Sequence, residues 1–339
     1  MNATYCAILM FAAMGIVAEA QIEDNKLFHV HKDGKVGFID NTGKVVIPIN
    51  YSRNSGEFSE GLAAVETTDK GWQYIDETGH TKFVLGFDCF PRPFHDGMAS
   101  VEYTGQLFGY IDNQGHQVIK PQFVLADDFA QGIGLAEKRN VGNVFLDKKG
   151  NVLFPQYSPQ SFQYFSEGLA PVWIASKVTN GRLTGYIDLA GKLVIPCEYD
   201  YGLQCKEGVV MVGKNGVAIG LDTNGEVVIK GNFQQLRSFS EGLAAGRIGG
   251  KWGFIDHQGK VIIDPKYDRA FEFSESLACV QISGKWGFVD KSGIMIIEPK
   301  FNIVNAANAK FLGGLAAIRD GTKEGYIDKA GALIWPPSE

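Results

Sequence analysis

The sequence is built from one phrase that recurs nine times, at a spacing of 34 to 41 residues. Two copies are almost identical: GKWGFID over residues 250–256 and GKWGFVD over residues 284–290. Self-similarity at a fixed period of this length predicts a tandem array, in which each unit buries its apolar face on its neighbours. Every copy ends in aspartate, at Asp40, Asp76, Asp112, Asp147, Asp188, Asp222, Asp256, Asp290 and Asp328.

Each unit predicts three short β-strands. The strands correspond to segments such as EGLAAV (residues 60–65), GKWGFID and GKVIIDPKYD (residues 259–268), which alternate or run apolar between turn signals. The 42 glycines, 23 phenylalanines and 12 tyrosines also favour short strands and tight turns over long helices. The predicted fold class is therefore all-β.

The turn between the second and third strands is the best-defined local feature. In all nine units the final Asp of the phrase is followed by Gly three residues later, as in DNTG (residues 40–43). Asp suits the first position of a type I turn, and Gly takes the left-handed position that closes the hairpin with a bulge. These nine aspartates are predicted to form turns rather than to act as acids, bases or metal ligands.

Two columns of side chains follow the middle strand. One column is aromatic in eight units and is predicted to form a buried core between units. It consists of Phe38, Tyr74, Tyr110, Phe145, Tyr186, Phe254, Phe288 and Tyr326. The other column holds Trp72, Trp252 and Trp286, but Asn143 and Glu324 in other units. Because polar residues are accepted there, we expect the tryptophans to be partly exposed and to form a binding stripe; the alternative is that each covers its own unit.

The Trp-Gly pairs at Trp252 and Trp286, with EGLA and VIIDP around them, resemble the bacterial WG-repeat (KWG) proteins. The resemblance covers residues 27–336 and departs from the motif at NVFLD (residues 143–147) and AIGLD (residues 218–222). It implies a binding scaffold and transfers no catalytic residue.

Two architectures fit nine such units. A closed propeller needs about four strands per blade and usually has four to eight blades. With three strands in each of nine units, we expect an open, curved or superhelical β-array. The alternative is a closed, propeller-like ring in which a linker supplies the additional strand.

The N-terminus has the pattern of an export signal. An apolar run over residues 5–18 leads into Ala18-Glu19-Ala20, the small-x-small pattern that a signal peptidase cleaves. We predict a signal peptide over residues 1–20 and a single repeat domain over residues 21–339, located in the periplasm or secreted. A retained anchor is the alternative, although about 14 apolar residues are short for a span of about 20. No membrane span is expected in the mature chain.

Charge and motifs argue against nucleic acid binding and catalysis. The chain has 32 basic and 38 acidic side chains, a net charge of −6, and no long run of like charges. It contains no nucleophile elbow, phosphate-binding loop, HExxH or paired CxxC. His29 and His31 alternate on the first predicted strand but lack a third ligand. We therefore predict no enzymatic activity, no metal and no cofactor.

A set of polar residues directly follows the hairpin glycine. If the units stack in register, these residues form a mildly basic ridge that extends the candidate interaction surface; the alternative is a solvated hairpin edge kept polar against aggregation. The set comprises Lys44, His80, His116, Lys192 and Lys260.

Four cysteines lie beyond the predicted signal peptide: Cys89, Cys197, Cys205 and Cys279. An even number in an oxidising compartment favours disulfides. Cys197 and Cys205 flank one junction, PCEYDYGLQC, and are the candidate pair; free buried cysteines are the alternative.

Three functions remain open at this point. The favoured one is an exported, non-enzymatic scaffold that binds a protein partner of unknown identity. The second is a module that binds cell-wall or surface glycan, because exposed aromatic rings stack on sugars and tandem units offer avidity. The third, an enzyme, has no motif to support it.

Overall fold

The computed structural model describes residues 26–105, 107–160, 163–175, 182–302, 310–321 and 323–338. These residues form 35 β-strands in nine antiparallel sheets, so the predicted all-β class is confirmed. Within these ranges there is no helix of the length and apolar character needed to cross a membrane. The predicted signal peptide lies outside the described residues.

The strands of each sheet follow one another in chain order, and each sheet is called a blade. Blades 1 to 3 contain β1 (Phe28–Lys32), β2 (Lys35–Ile39), β3 (Val45–Ser52); β4 (Phe58–Ser59), β5 (Leu62–Thr67), β6 (Gly71–Asp76), β7 (Thr81–Gly86); and β8 (Cys89–His95), β9 (Met98–Tyr103), β10 (Leu107–Asp112), β11 (Gln117–Phe123). Blades 4 to 6 contain β12 (Leu125–Ala130), β13 (Ile133–Lys138), β14 (Gly142–Leu146), β15 (Val152–Leu153); β16 (Ser158–Pro159), β17 (Leu169–Ala175), β18 (Arg182–Asp188), β19 (Leu193–Tyr199); and β20 (Tyr201–Gly202), β21 (Val209–Lys214), β22 (Val217–Asp222), β23 (Val227–Phe233). Blades 7 to 9 contain β24 (Gln235–Leu236), β25 (Ala244–Ile248), β26 (Lys251–Ile255), β27 (Val261–Tyr267); β28 (Arg269–Ser274), β29 (Leu277–Ile282), β30 (Lys285–Asp290), β31 (Met295–Phe301); and β32 (Phe311–Leu312), β33 (Leu315–Asp320), β34 (Lys323–Asp328), β35 (Leu333–Ser338).

Eight blades have four strands, so the prediction of three strands per unit is wrong. The additional strand comes from the linker that opens each unit: in blade 8 it is β28, which pairs with β29. A register shift between Ala270 and Phe273 interrupts this pairing, and such a bulge breaks the alternation by which a strand is recognised in a sequence. Blade 1 shows three strands among the described residues.

The nine predicted Asp-x-x-Gly hairpins are confirmed. In blade 1 the Asp40 carboxylate accepts hydrogen bonds from the N–H groups of Thr42 at 2.9 Å and Lys44 at 3.0 Å. Gly43 has φ = +86°, the left-handed conformation that the turn requires. All nine aspartates accept the same two backbone bonds, which explains why the residue is repeated.

The aromatic column forms the core between blades, as predicted. Its side chains are buried, and each packs on the next blade. The ring centroids of Phe254 in blade 7 and Phe273 in blade 8 lie 4.8 Å apart, and those of Phe288 in blade 8 and Phe311 in blade 9 lie 4.9 Å apart. The phenylalanine two residues before the turn into the second strand thus anchors a blade on the preceding one, as Phe273 and Phe311 do.

The nine blades close into a ring, so the chain is a β-propeller and the expectation of an open array is wrong. The last blade packs on the first: the ring centroids of Phe28 and Tyr326 lie 5.4 Å apart. The Tyr326 hydroxyl donates to the His29 carbonyl at 3.0 Å, and Ser338 Oγ donates to the His31 carbonyl. Phe28, Tyr326 and Leu315 belong to one buried apolar cluster that spans this junction, here called the seam.

Candidate functional site

The three tryptophans of the predicted binding stripe are buried. Trp72, Trp252 and Trp286 expose only 4 %, 8 % and 4 % of their surface, so the predicted exposure is wrong. First-strand side chains cover them: the guanidinium carbon of Arg237 lies 5.2 Å from the Trp252 ring centroid. The centroid of Phe271 lies 5.6 Å from that of Trp286. These tryptophans therefore stabilise their own blades and offer no stripe to a partner.

The residues of the predicted basic ridge are exposed, and each directly precedes the last strand of a different blade. They are Lys44, His80, His116, Lys192 and Lys260. Two are held by their own hairpin: His116 Nδ1 lies 3.1 Å from Asp112 Oδ2, and His80 Nδ1 lies 2.6 Å from Thr78 Oγ1. In the described part of the chain, no contact joins two of these five side chains. Whether they bind a partner stays a prediction.

The predicted disulfide between Cys197 and Cys205 is absent, because the four cysteines of the described residues are free thiols. Cys205 lies in an apolar cluster with Tyr186, whereas Cys197 packs on a different cluster, around Phe145. Burial raises the pKa of Cys205 to about 12 and that of Cys89 to about 11. A thiol of such high pKa is a poor nucleophile at neutral pH.

The Glu of the EGLA phrase has a role that the sequence analysis missed. Glu60 and Gly61 form the two-residue turn between β4 and β5, with φ = +52° and +76°, as in a type I′ hairpin. Asn is usual at the first position, because a left-handed conformation costs most other residues about 1–2 kcal/mol. Seven blades nevertheless have Glu, Asp or Gln at this first position, and each of these side chains carries an oxygen that can accept hydrogen bonds. These residues, here called the acceptor relay, are Glu60, Asp96, Gln131, Glu167, Glu207, Glu241 and Glu275.

Each relay side chain binds the equivalent turn of the next blade. Glu60 accepts from the N–H groups of Asp96 at 2.6 Å and Gly97 at 2.9 Å. Glu167 accepts from the N–H groups of Glu207 and Gly208, both at 2.8 Å. A charge-assisted hydrogen bond contributes about 1.5–3 kcal/mol, which offsets the strain of the turn. The relay extends from blade 2 to blade 9. The corresponding bonds along it are made by Gln131, Glu207, Glu241 and Glu275.

Basic residues on the same face neutralise part of the relay. The residue that follows the hairpin Asp reaches back to the preceding blade: Lys148 Nζ lies 3.1 Å from Asp96 Oδ1, and Lys291 Nζ lies 3.1 Å from Glu241 Oε2. Two further pairs are His257 with Glu207 at 3.2 Å and Lys329 with Glu275 at 2.9 Å. This face, the relay face, therefore uses its charges to join blades.

Glu167 shows the electrostatic effect of the relay bonds most clearly. Burial raises the pKa of this carboxyl group, but the N–H groups of Gly208 and Glu207 outweigh burial and hold the pKa below its ordinary value. The charged form is thus the one that the fold stabilises.

The first strands surround the central channel of the propeller. Ser59 Oγ donates to the Phe94 carbonyl of the next blade at 2.5 Å, and Ser240 Oγ donates to the Phe273 carbonyl at 2.7 Å. Equivalent residues of successive blades can bond directly only at a small radius, so these strands are the innermost of each blade.

The channel carries three carboxylates, each directly before an anchoring phenylalanine. Each is paired with a basic side chain of the preceding blade: Glu57 with His29 at 3.4 Å, Asp128 with His95 at 3.4 Å and Glu272 with Arg237 at 3.8 Å. Burial raises the pKa of Asp128, although His95 and Arg92 act in the opposite direction. In the sequence, each of these carboxylates is visible as an acidic residue directly before the anchoring phenylalanine. The linker that contains it was not recognised as a strand.

The rings of His29 and His31 lie 5.2 Å apart and perpendicular to each other. Across the described ranges, no group of three or more His, Cys, Asp or Glu side chains is arranged to hold a metal ion.

The fold and its repeated contacts define a nine-bladed β-propeller of tandem repeats. The family model of the WG containing repeat matches residues 37–70, 108–141, 185–217, 221–252, 252–286 and 286–321, more than half of the chain. The chain therefore belongs to the WG-repeat family, which confirms the resemblance drawn from its motifs. No curated protein matches its sequence.

Several solved structures are similar to this chain at low sequence identity. The crystal structure of the eukaryotic initiation factor is 12% identical with a TM-score of 0.59, and the match covers 91% of this chain and 95% of that one. BamB from Moraxella catarrhalis is 12% identical with a TM-score of 0.38, covering 90% of this chain and 89% of that chain. The dehydrogenase NirN is 16% identical with a TM-score of 0.43, covering 80% and 72%. Of these three structures, the initiation factor has a TM-score above 0.5, and it supports the propeller fold but no function.

Proposed function

We propose that the protein is an exported, non-enzymatic scaffold that binds a protein partner through the face opposite the acceptor relay. That face carries the linkers between blades and the turns between second and third strands. The observation that carries the proposal is a set of three exposed apolar side chains at the linker end of blades 3 and 4, here called the apolar patch: Phe90, Val124 and Val141. They expose 56 %, 37 % and 66 % of their surface.

The patch members come from two adjacent blades. Phe90 lies on the first strand of blade 3, and Val124 lies in the linker into blade 4. Val124 and Val141 flank the same strand: their N–H groups donate to the carbonyls of Glu137 at 2.8 Å and Lys138 at 3.0 Å. Aromatic and aliphatic side chains of this kind anchor protein interfaces, because burying them on a partner removes apolar surface from water.

The absence of enzymatic activity is part of the proposal. The free thiols whose pKa is raised by burial are poor nucleophiles. The channel carboxylates are each paired with a basic group, as are four of the relay carboxylates. These charges stabilise the contacts between blades, which favours a rigid binding platform over a reactive centre.

Partner capture with matched variants tests the interaction. Phe90→Ser and Val141→Asp alter the patch, and Val217→Asp is the control, because Val217 is 41 % exposed at a turn of blade 6. We expect a protein that wild type and Val217→Asp retain equally and that both patch variants lose, followed by direct binding of the purified pair. Equal retention by all four proteins would contradict this surface.

Export is tested on the native protein. Mass spectrometry should find a mature chain that begins at Gln21. A chain that still begins at Met1 and sediments with membranes would contradict it.

A further inference from the structure

A groove with polar walls lies between blades 1 and 2. It has a volume of about 530 Å³ and lies on the same face as the linkers, within the range of small-ligand sites. Its walls come from the end of β3, the turn between β5 and β6, and the linker that follows β7. The lining residues used below are Lys35, Asn50, Arg53, Glu66, Asp69 and Phe87.

Phe87 is 61 % exposed and is the one aromatic side chain of the groove. Its position results from an irregularity in blade 2. In blade 7, Trp252 pairs with Tyr267, which is fully buried. In blade 2, Trp72 pairs instead with Gly86, and Phe87 follows in a linker outside the strand. Blade 2 has thus lost a buried aromatic residue at this point and gained an exposed one beside the groove.

The remaining walls are polar and contain both donors and acceptors. Asn50, Arg53 and Lys35 are exposed, and their side chains make no hydrogen bond or ion pair with any other described residue. Glu66 and Asp69 face the same groove and supply carboxylate acceptors. The set therefore offers hydrogen bonds in both directions without a strong net charge.

We propose that this groove binds an oligosaccharide. A pyranose ring has an apolar C–H face, which stacks on an exposed aromatic ring such as Phe87. Its rim of hydroxyl groups both donates and accepts, which matches the amide of Asn50 and the carboxylates of Glu66 and Asp69. Because the two carboxylates offset the charges of Lys35 and Arg53, the groove gives a phosphate-rich ligand no net attraction, and an apolar peptide would find a single apolar side chain. Phe90 of the apolar patch follows Phe87 by three residues, whereas Val124 and Val141 lie in the linker into blade 4 and in blade 4 and do not line the groove.

Calorimetric titration with four defined tetrasaccharides tests the proposal: chitotetraose, cellotetraose, maltotetraose and tetragalacturonate. We expect at least one of them to bind the full-length mature protein at millimolar concentration or below. Phe87→Ala and Asn50→Ala should each weaken that binding about tenfold or more, whereas Phe87→Trp should retain it. Tyr201→Ala is the matched control, because Tyr201 is an aromatic residue that is 39 % exposed on the first strand of blade 6, away from the groove.

Two results would overturn the proposal. One is that none of the four sugars binds. The other is that binding is unchanged in Phe87→Ala and Asn50→Ala while their melting temperatures equal that of wild type. Because Val141→Asp should still bind the sugar, loss of the protein partner and loss of the sugar are separate outcomes.

Discussion

The junction between blades 7 and 8 and the seam between blades 9 and 1 perform the same task with different contacts. At the regular junction the chain continues from one blade to the next, Phe254 packs on Phe273, and Glu241 accepts from the Ser276 N–H at 2.9 Å. At the seam the aromatic packing remains, in the pair of Phe28 and Tyr326, but the relay contact is missing.

The relay stops at blade 9 because Gly313 occupies its position. A Cβ atom at Gly313 would lie 2.9 Å from Cβ of Lys26, which leaves no space for a side chain. Among the described residues, closure of the ring therefore rests on apolar packing and on two hydrogen bonds to the backbone of β1. With fewer contacts and no covalent link, the seam is expected to open before the other junctions.

The largest loss of stability is expected at the tryptophan position of a regular blade. Blade 9, at the seam, has a polar residue at the same position. Trp286→Ala removes a buried ring from blade 8 and should lower the free energy of unfolding by about 3–5 kcal/mol. At the same position in blade 9, Glu324→Ala removes an exposed ion pair with Arg319 and should cost at most about 1 kcal/mol. Denaturant unfolding of both variants measures the difference; equal costs would contradict the burial of the tryptophan.

Removing one aromatic anchor at each type of junction should separate global from local unfolding. Phe273→Ala should lower the global free energy of unfolding by about 3 kcal/mol or more. Phe28→Ala should act mainly at the seam, by raising amide exchange in β1 and β34 while the central blades stay protected. Hydrogen exchange resolved by mass spectrometry distinguishes the two, and uniform deprotection in Phe28→Ala would show that the seam is no weaker than the rest.

Gly313 gives a smaller but more specific test of the seam. Alanine in the left-handed region costs about 1–2 kcal/mol, and at Gly313 it also contacts Lys26. Gly61 is the control: it has φ = +76°, and a Cβ atom there would meet nothing within 4 Å. Thermal unfolding should show Gly313→Ala to be more destabilised than Gly61→Ala; the reverse order would contradict the close approach of Lys26.

The acceptor relay should contribute a modest amount at each regular junction. Glu241→Ala removes the bond to Ser276 and the ion pair with Lys291, and we expect a loss of about 1.5 kcal/mol, the lower end of the range for a charge-assisted bond, because the side chain is partly exposed. Glu298→Ala on β31 is the control, since this glutamate is exposed and makes no hydrogen bond or ion pair with other described residues. Identical unfolding curves for the two variants would remove the relay from the account of stability.

The smallest effect is a dependence on pH. The pKa of Glu167 is lower in the folded state than its ordinary value of about 4.3. The stabilisation of the folded state by charged Glu167 is therefore fully present above about pH 4.3, and it is lost as the pH falls through the folded-state pKa. Glu167→Gln should reduce the loss of stability between neutral pH and about pH 3. A wild-type slope in this variant would contradict the depressed pKa.

The features that repeat within one unit were predictable from the sequence. The Asp-x-x-Gly turns and the aromatic column depend on residues a few positions apart, so their spacing is visible in every copy. The relay was not predictable in the same way, because Glu60 binds Asp96 and Gly97, which lie 36 and 37 residues away. The signal that could have revealed the relay is Glu before Gly in a tight turn, where Asn is usual.

Four predictions were wrong, and each depended on structure that the sequence patterns do not show. The exposure of Trp252 was misjudged because its cover, Arg237, comes from a first strand that sequence alternation does not reveal. That same strand was missing from the predicted unit, which favoured an open array over a ring. Closure depends on the rotation between successive blades, a global quantity that no local pattern encodes. The predicted disulfide was wrong because Cys197 and Cys205, although close in the sequence, lie in different apolar clusters.

The distance across the seam in solution tests the closed ring most directly. Spin labels at Lys44→Cys and Ala332→Cys occupy equivalent, exposed positions in blades 1 and 9, four residues after Asp40 and Asp328. Labels at Lys192→Cys and Glu226→Cys report the same geometry for blades 5 and 6, in a background with Cys6→Ser and Cys197→Ser. Double electron–electron resonance should give two coinciding distance distributions. A seam distance longer than the internal one by several blade widths would contradict the ring and restore the open array.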